Sequence, residues 1–87
     1  MTGSMETRLK RLRFRACHRG MQETDRLLGG FAESALDTLD AAQLQRFEGL
    51  LEESDGDLLD WITGRRTPPE RLDNDVMRML IDFGKRL

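Results

Sequence analysis

Apolar residues recur along this chain at intervals of three and four, and no segment alternates strictly between apolar and polar. That pattern predicts helices throughout and no strands. The first helix is expected from Glu6 to Cys17, with Leu9, Leu12 and Ala16 at i, i+3 and i+7 forming a narrow apolar stripe among arginines. Gly20 interrupts it, and a second stripe of Met21, Leu28, Phe31 and Ala35 follows. Gly29 and Gly30 fall inside this second pattern at about 1 kcal/mol each relative to alanine, so a kink and an early end are both open. Asp40 followed by Gln43 forms a capping box that starts a third helix, with Leu44, Phe47, Leu50 and Leu51 as its buried face. The polar cluster from Glu52 to Gly56 ends it, and Asp55 is read as the cap of a short fourth helix. That helix carries Leu58, Leu59, Trp61 and Ile62, with Gly64 where a left-handed residue closes a helix. Thr67, Pro68, Pro69 and Glu70 combine a cap, an early proline and a box partner, and predict the start of a fifth helix. Its face is Leu72, Val76, Met79, Leu80 and Phe83. The expected fold is all-α, a compact five-helix bundle in a single domain.

With 87 residues there is room for one core only. Residues 1–5 are read as a flexible N-terminus or expression remnant and residues 6–87 as the domain. Cys17 is the only cysteine, which excludes a disulfide framework and a four-cysteine zinc site and fits a reducing compartment. No apolar run approaches the roughly 20 residues of a membrane span, and no signal-peptide core follows the start, so the expected location is the cytoplasm. The net charge of −2 hides a segregation. Residues 1–30 carry seven basic and three acidic groups, whereas residues 31–60 carry one basic and nine acidic. Such a chain is not polybasic overall, although its first third offers a local cationic surface.

The residues supply little for catalysis. Cys17 and His18 are neighbours on a helix and point about 100° apart, which argues against a thiolate–imidazolium pair. Cys17 reads as a small residue beside the apolar stripe and His18 as a surface or contact residue. Asp55, Asp57 and Asp60 lack the glycine and the distant glutamate of a calcium loop. Gly29 and Gly30 follow no strand and precede no suitably spaced lysine, so they form no phosphate loop. Met77 and Met79 read as core filler and Trp61 as the aromatic anchor of the bundle.

The junction of the first two helices is the unusual region. Arg8, Arg11 and Arg15 lie at i, i+3 and i+7, and Arg19 continues the line, predicting a cationic ridge. Gly20 then offers close approach to another backbone, and Glu23 and Asp25 add fixed negative charge. Equally, Gly20 breaks a helix and Glu23 complements the positive start of the next one. The residues alone leave both readings open.

The string Arg19-Gly20-Met21-Gln22-Glu23 resembles the R-G-x-x-E signature of the succinate dehydrogenase assembly factor family, small bacterial and mitochondrial flavinylation factors. The likeness runs from Leu9 to Ile81. Arg15-Ala16-Cys17-His18 leads into the signature, Asp25 and Phe31 follow, and Asp57-Leu58 precedes Trp61 and Pro68. Thr24 departs from the family, which often has an apolar residue between the signature glutamate and the next aspartate. The resemblance implies a five-helix bundle that is not an enzyme. It implies a factor that binds the flavoprotein subunit of succinate dehydrogenase, with fumarate reductase as a further client, and promotes covalent attachment of FAD to a subunit histidine. Arg19, Gly20 and Glu23 carry over as the functional surface, and Arg11, Arg15, His18, Met21 and Asp25 are taken as its partner-binding neighbours. In this reading Arg19 supplies charge and hydrogen bonds to the client, Gly20 close approach and Glu23 orientation. Replacing Gly20 by arginine is then expected to block docking while leaving the bundle folded. Further expectations are no tightly bound cofactor, since no Gly-rich dinucleotide fingerprint is present, a monomer when free, and a bacterial source, since no presequence is seen. The competing expectation is a nucleic-acid-binding or antitoxin-like regulator that sets the Arg8, Arg11 and Arg15 ridge on phosphates. A small acid/base enzyme using Glu23 and His18 is the remaining alternative.

Overall fold

The computed structural model describes residues 3–87, with side chains from residue 5 onward. Five α-helices carry the fold: α1 (Gly3–Cys17), α2 (Gln22–Ala35), α3 (Ala41–Leu50), α4 (Asp55–Thr63) and α5 (Asp75–Lys85). Single 3-10 turns at Leu36–Thr38 and Glu70–Leu72 precede α3 and α5, and no strand occurs among the described residues. Of the expected tail, residues 1 and 2 lie outside the described residues, and Gly3 already belongs to α1.

The apolar stripes meet in one core. Leu12 and Ala16 of α1, Leu28, Phe31 and Ala32 of α2, Leu44, Phe47 and Leu50 of α3, Leu58, Trp61 and Ile62 of α4, and Val76, Met77 and Leu80 of α5 are all buried. Trp61 is the aromatic anchor expected of it, with the Arg66 guanidinium 5.9 Å from its ring centroid. Met79 is half-buried beside the fully buried Met77. α2 is central, packing against α1, α4 and α5.

The two glycines of α2 do not end it; the helix continues to Ala35. Gly29 is there for contact. A Cβ at that position would lie 2.9 Å from Cys17 Sγ and 3.4 Å from Cys17 Cα, so its absence lets the end of α1 settle onto α2. Cys17 therefore fills the helix interface, as a small residue can.

Local signals succeeded where they were unrivalled. Asp40 and Gln43 form the full capping box, and Gly64 closes α4 at φ 84°. Two expected starts are corrected. The Thr67–Glu70 signal does not begin α5; Pro69 stays extended, and the Leu72 N–H reaches only the Pro69 carbonyl (2.9 Å), closing one 3-10 turn. Leu72 plugs into the core from that turn and Asp73 leaves helical geometry, so α5 starts anew with Asn74 accepting from the Met77 N–H at 3.0 Å. The cap of α4 is Ser54, whose hydroxyl accepts from the Asp57 N–H (3.3 Å). Asp55 is thereby released to turn elsewhere.

Candidate functional site

Between Cys17 and Gln22 the chain reverses through His18, Arg19, Gly20 and Met21. Met21 occupies the cap position of α2 but supplies no side-chain bond; its carbonyl accepts from the Asp25 N–H and the Thr24 hydroxyl. What fixes the turn is a set of carboxylates. Asp25, one turn into α2, accepts from the Arg19 N–H at 2.5 Å. Asp55, at the start of α4, accepts from the Gly20 N–H through Oδ2 and from Arg19 Nε through Oδ1, both at 2.7 Å.

The Arg19 side chain points inward and is only 11% exposed. Besides Asp55 it donates through Nη1 to the Leu51 carbonyl and through Nη2 to the Glu53 carbonyl, each at 2.7 Å. Those carbonyls lie just past α3, where a helix presents unpaired acceptors and partial negative charge. Arg19 thus ties α1, α3 and α4 together. The client-facing role expected for its guanidinium is not what this geometry favours; the side chain is a structural clasp. Burial pushes the Asp55 carboxyl up, but the bonds from Arg19 and Gly20 and the Arg19 charge outweigh it and hold the group below the ordinary aspartate value.

Gly20 is exposed. A Cβ there would meet Asp55 Oδ2 at 2.9 Å. Any side chain at this position therefore disturbs the Asp55 clasp as well as the outer face, so the Gly20→Arg replacement does not test docking alone. Glu23 is exposed on the first turn of α2 and makes no hydrogen bond or ion pair among the described residues.

Three of the four arginines of the cationic ridge face carboxylates in the fold. Arg8 lies 3.6 Å from Glu48, Arg15 pairs with Glu52 and Arg19 with Asp55, the partners following one another in chain order. The charge segregation along the sequence is largely the complementarity of α1 with the α3–α4 region. Arg11 is exposed and forms no such pair among the described residues.

Beside this clasp lies an open groove lined by Phe14, Arg15, His18, Arg19, Gly20, Leu51 and Asp55. Phe14 is 63% exposed and its ring stacks on His18, with centroids 3.9 Å apart and planes 16° from parallel. His18 Nδ1 donates to the Phe14 carbonyl at 2.8 Å, since a carbonyl only accepts, which directs Nε2 away from the helix. Cys17 faces Gly29 while His18 faces Phe14, so the pair points apart as the helix spacing predicts.

Of the expected site residues, His18, Gly20, Arg15 and Arg19 line the groove beside Phe14, Glu23 lines a separate one with Arg26, Leu27, Leu59 and Thr63, Met21 is half-exposed, and Arg15, Arg19 and Asp25 are engaged by bonds within the chain. Sequence reasoning missed two members. Phe14 was signalled by being an aromatic off the Leu9–Leu12–Ala16 stripe, and Asp55 by the acidic run that matches the arginine ridge in order. No helix among the described residues is long and apolar enough to cross a membrane.

Residues 10–84 match a protein family described as flavinator of succinate dehydrogenase. Among characterised proteins, the chain is 42% identical over 79 residues to the FAD assembly factor SdhE of Acetobacter pasteurianus, covering 91% of this chain and 72% of the relative. It is 41% identical over 71 residues to the mitochondrial succinate dehydrogenase assembly factor 2 of Schizosaccharomyces pombe, covering 78% of this chain and 51% of the relative. The corresponding Dictyostelium discoideum protein is 34% identical over 71 residues, covering 82% and 50%. The chain spans about half the length of these mitochondrial relatives. With the match running through all five helices and the turn held by Asp25 and Asp55, this chain belongs to the flavinator of succinate dehydrogenase family.

Proposed function

We propose that this chain is an assembly factor that binds the flavoprotein subunit of succinate dehydrogenase and promotes covalent attachment of FAD to it, with fumarate reductase flavoproteins as further clients. The observation that carries the reading is the exposed Gly20–Glu23 edge, held from behind by a buried clasp, in a chain of this family. A charged group on the first turn of a helix, without an in-chain partner among the described residues, is suited to reading another protein.

The flavin is the client's, and its reactivity belongs to the client. The contribution of this chain is positional: it holds the immature subunit so that a client histidine reaches the 8α carbon of the isoalloxazine. Glu23 supplies a fixed carboxylate for orientation, Phe14 and His18 an apolar and aromatic contact, and Gly20 with Met21 the backbone edge between them. The factor performs no turnover of its own, holds no flavin tightly, is monomeric when free and works in the cytoplasm. The nucleic-acid reading is the weaker one, because three of the four ridge arginines face carboxylates of the same chain.

The test is in-gel flavin fluorescence of denatured client matured with the wild-type chain, with Glu23→Ala, or with neither. Denaturation leaves only covalent flavin visible. The expected outcome is strong signal with the wild type and near-background signal with Glu23→Ala, whose stability cost is limited to the helix-start charge effect of about 0.3–1 kcal/mol. Equal signal in all three arms would overturn the proposal.

A further inference from the structure

We infer that Asp55 is the positioning residue of the Gly20–Glu23 edge, and that position 20 lacks a side chain to admit the Asp55 carboxylate rather than a partner's backbone. The inference rests on the proposed role of that edge.

Arg19 and Gly20 are consecutive residues of the turn joining α1 to α2, and Asp55 takes a donor from each, 36 and 35 residues away in sequence. One carboxylate oxygen holds the Arg19 side chain and the other holds the Gly20 backbone. The turn is thereby registered against the first residue of α4. Oδ2 lies only 2.9 Å from where a Cβ of residue 20 would sit, so hydrogen bond and side chain compete for the same space. The start of α2 has no cap from Met21 to set its direction. Its direction comes instead from two carboxylates on successive amides, Asp25 on Arg19 and Asp55 on Gly20. Glu23 is three residues downstream, and a small rotation at Gly20 carries its carboxylate off target. Asp55 acts through the turn, since its own side chain is only 19% exposed.

Asparagine at position 55 keeps the shape but has a single acceptor oxygen, and so keeps only one of the two bonds. This makes Asp55→Asn a mild variant alongside Asp55→Ala. The experiment is a double-substitution cycle of Gly20→Ala with Asp55→Ala, adding Asp55→Asn. It is read as covalent flavin on the client well below each variant's melting temperature, and as the pH titration of the Gly20 amide proton in NMR spectra. Gly20→Ala and Asp55→Asn are each expected to lower the flavin yield about fivefold or more, and Gly20→Ala is expected to add less than about twofold on the Asp55→Ala background. The Gly20 amide is expected to shift with the Asp55 carboxyl in the acid range, and the shift to vanish in Asp55→Asn.

A Gly20→Ala loss of equal size in both backgrounds would show that the glycine faces the client and would overturn the inference. Wild-type yield from both Asp55 variants would overturn it as well. Should Glu23→Ala also leave the yield untouched, the proposed function has failed, and the positioning claim is judged on the amide alone. Disappearance of its acid titration in Asp55→Asn supports the claim, and persistence overturns it.

Discussion

Under the proposed function, Phe14 separates stability from client binding. It stands off the apolar stripe of α1, two-thirds exposed, with its ring held against His18 rather than in the core. Truncating such a side chain removes little buried surface, so Phe14→Ser is expected to change unfolding free energy by no more than about 0.5 kcal/mol. A partner that covers the ring desolvates it fully, and aromatic residues at the centre of interfaces commonly contribute at least about 2 kcal/mol when truncated. Phe14→Ser is therefore expected to leave the thermal midpoint nearly unchanged and to weaken client binding by about tenfold or more. Melting curves and titration against the flavoprotein subunit check the two halves separately. Arg19 shows the opposite division: it opens the string that resembles the family signature, yet its guanidinium is directed into the chain. Membership of a signature does not say which way a side chain points, and the three atoms that receive the Arg19 guanidinium come from residues more than thirty positions away.

At the scale of elements, the same chemical change has opposite signs at two helical glycines. A Cβ at Gly49 of α3 meets nothing within 4 Å, so Gly49→Ala gains helix propensity unopposed and is expected to stabilise by about 0.5–1 kcal/mol. At Gly29 of α2 the same gain is set against overpacking on Cys17, which typically costs about 1–3 kcal/mol, so Gly29→Ala is expected to destabilise. Denaturant unfolding of the two variants beside the parent checks the reversal, and Cys17→Ala added to Gly29→Ala is expected to recover most of the loss. The contrast also marks what the sequence could disclose. Helix positions, the Asp40–Gln43 box and the Gly64 stop follow from neighbours within one or two turns, and periodicity sees those. The start of α5 was obscured because Thr67–Glu70 and Asn74 both offer caps, and only the burial of Leu72 in its own turn decides between them. Local spacing alone makes Asp55 a sufficient cap for α4. That Ser54 takes the cap while Asp55 reaches the α1–α2 turn depends on how α4 packs, which no local spacing contains.

For the whole molecule, charge is the organising quantity, and it makes the fold sensitive to acid. Four carboxyls are held below their ordinary values: Glu53 by a hydrogen bond from Arg71, Asp57 by one from Arg66, Asp75 by Gln43, and Asp55 by Arg19 and Gly20 against the opposing effect of burial. A group whose folded-state pKa lies below its unfolded value binds its proton more readily when unfolded. Its stabilisation is complete above the unfolded value, near 4 for these groups, and is lost as pH falls through the lowered folded value. The thermal midpoint is accordingly expected to be flat from neutrality down to about pH 5 and to fall steeply below about pH 4. Salt divides the contributors. The Arg66–Asp57 pair and the Arg46–Asp75 pair are about half exposed and are screened at 1 M salt, where the Debye length is about 3 Å. The Arg19–Asp55 clasp is largely buried and carries a backbone bond that screening does not reach. In 1 M sodium chloride the acid slope is therefore expected to shrink without vanishing, and Asp55→Asn is expected to reduce what remains, the rest belonging to the shielded Glu53 carboxyl. Melting curves from pH 7 to pH 2.5 at low and high salt, for the parent and Asp55→Asn, measure this. A residual high-salt slope identical in the two proteins would place the acid-labile contact elsewhere than in the clasp behind Gly20.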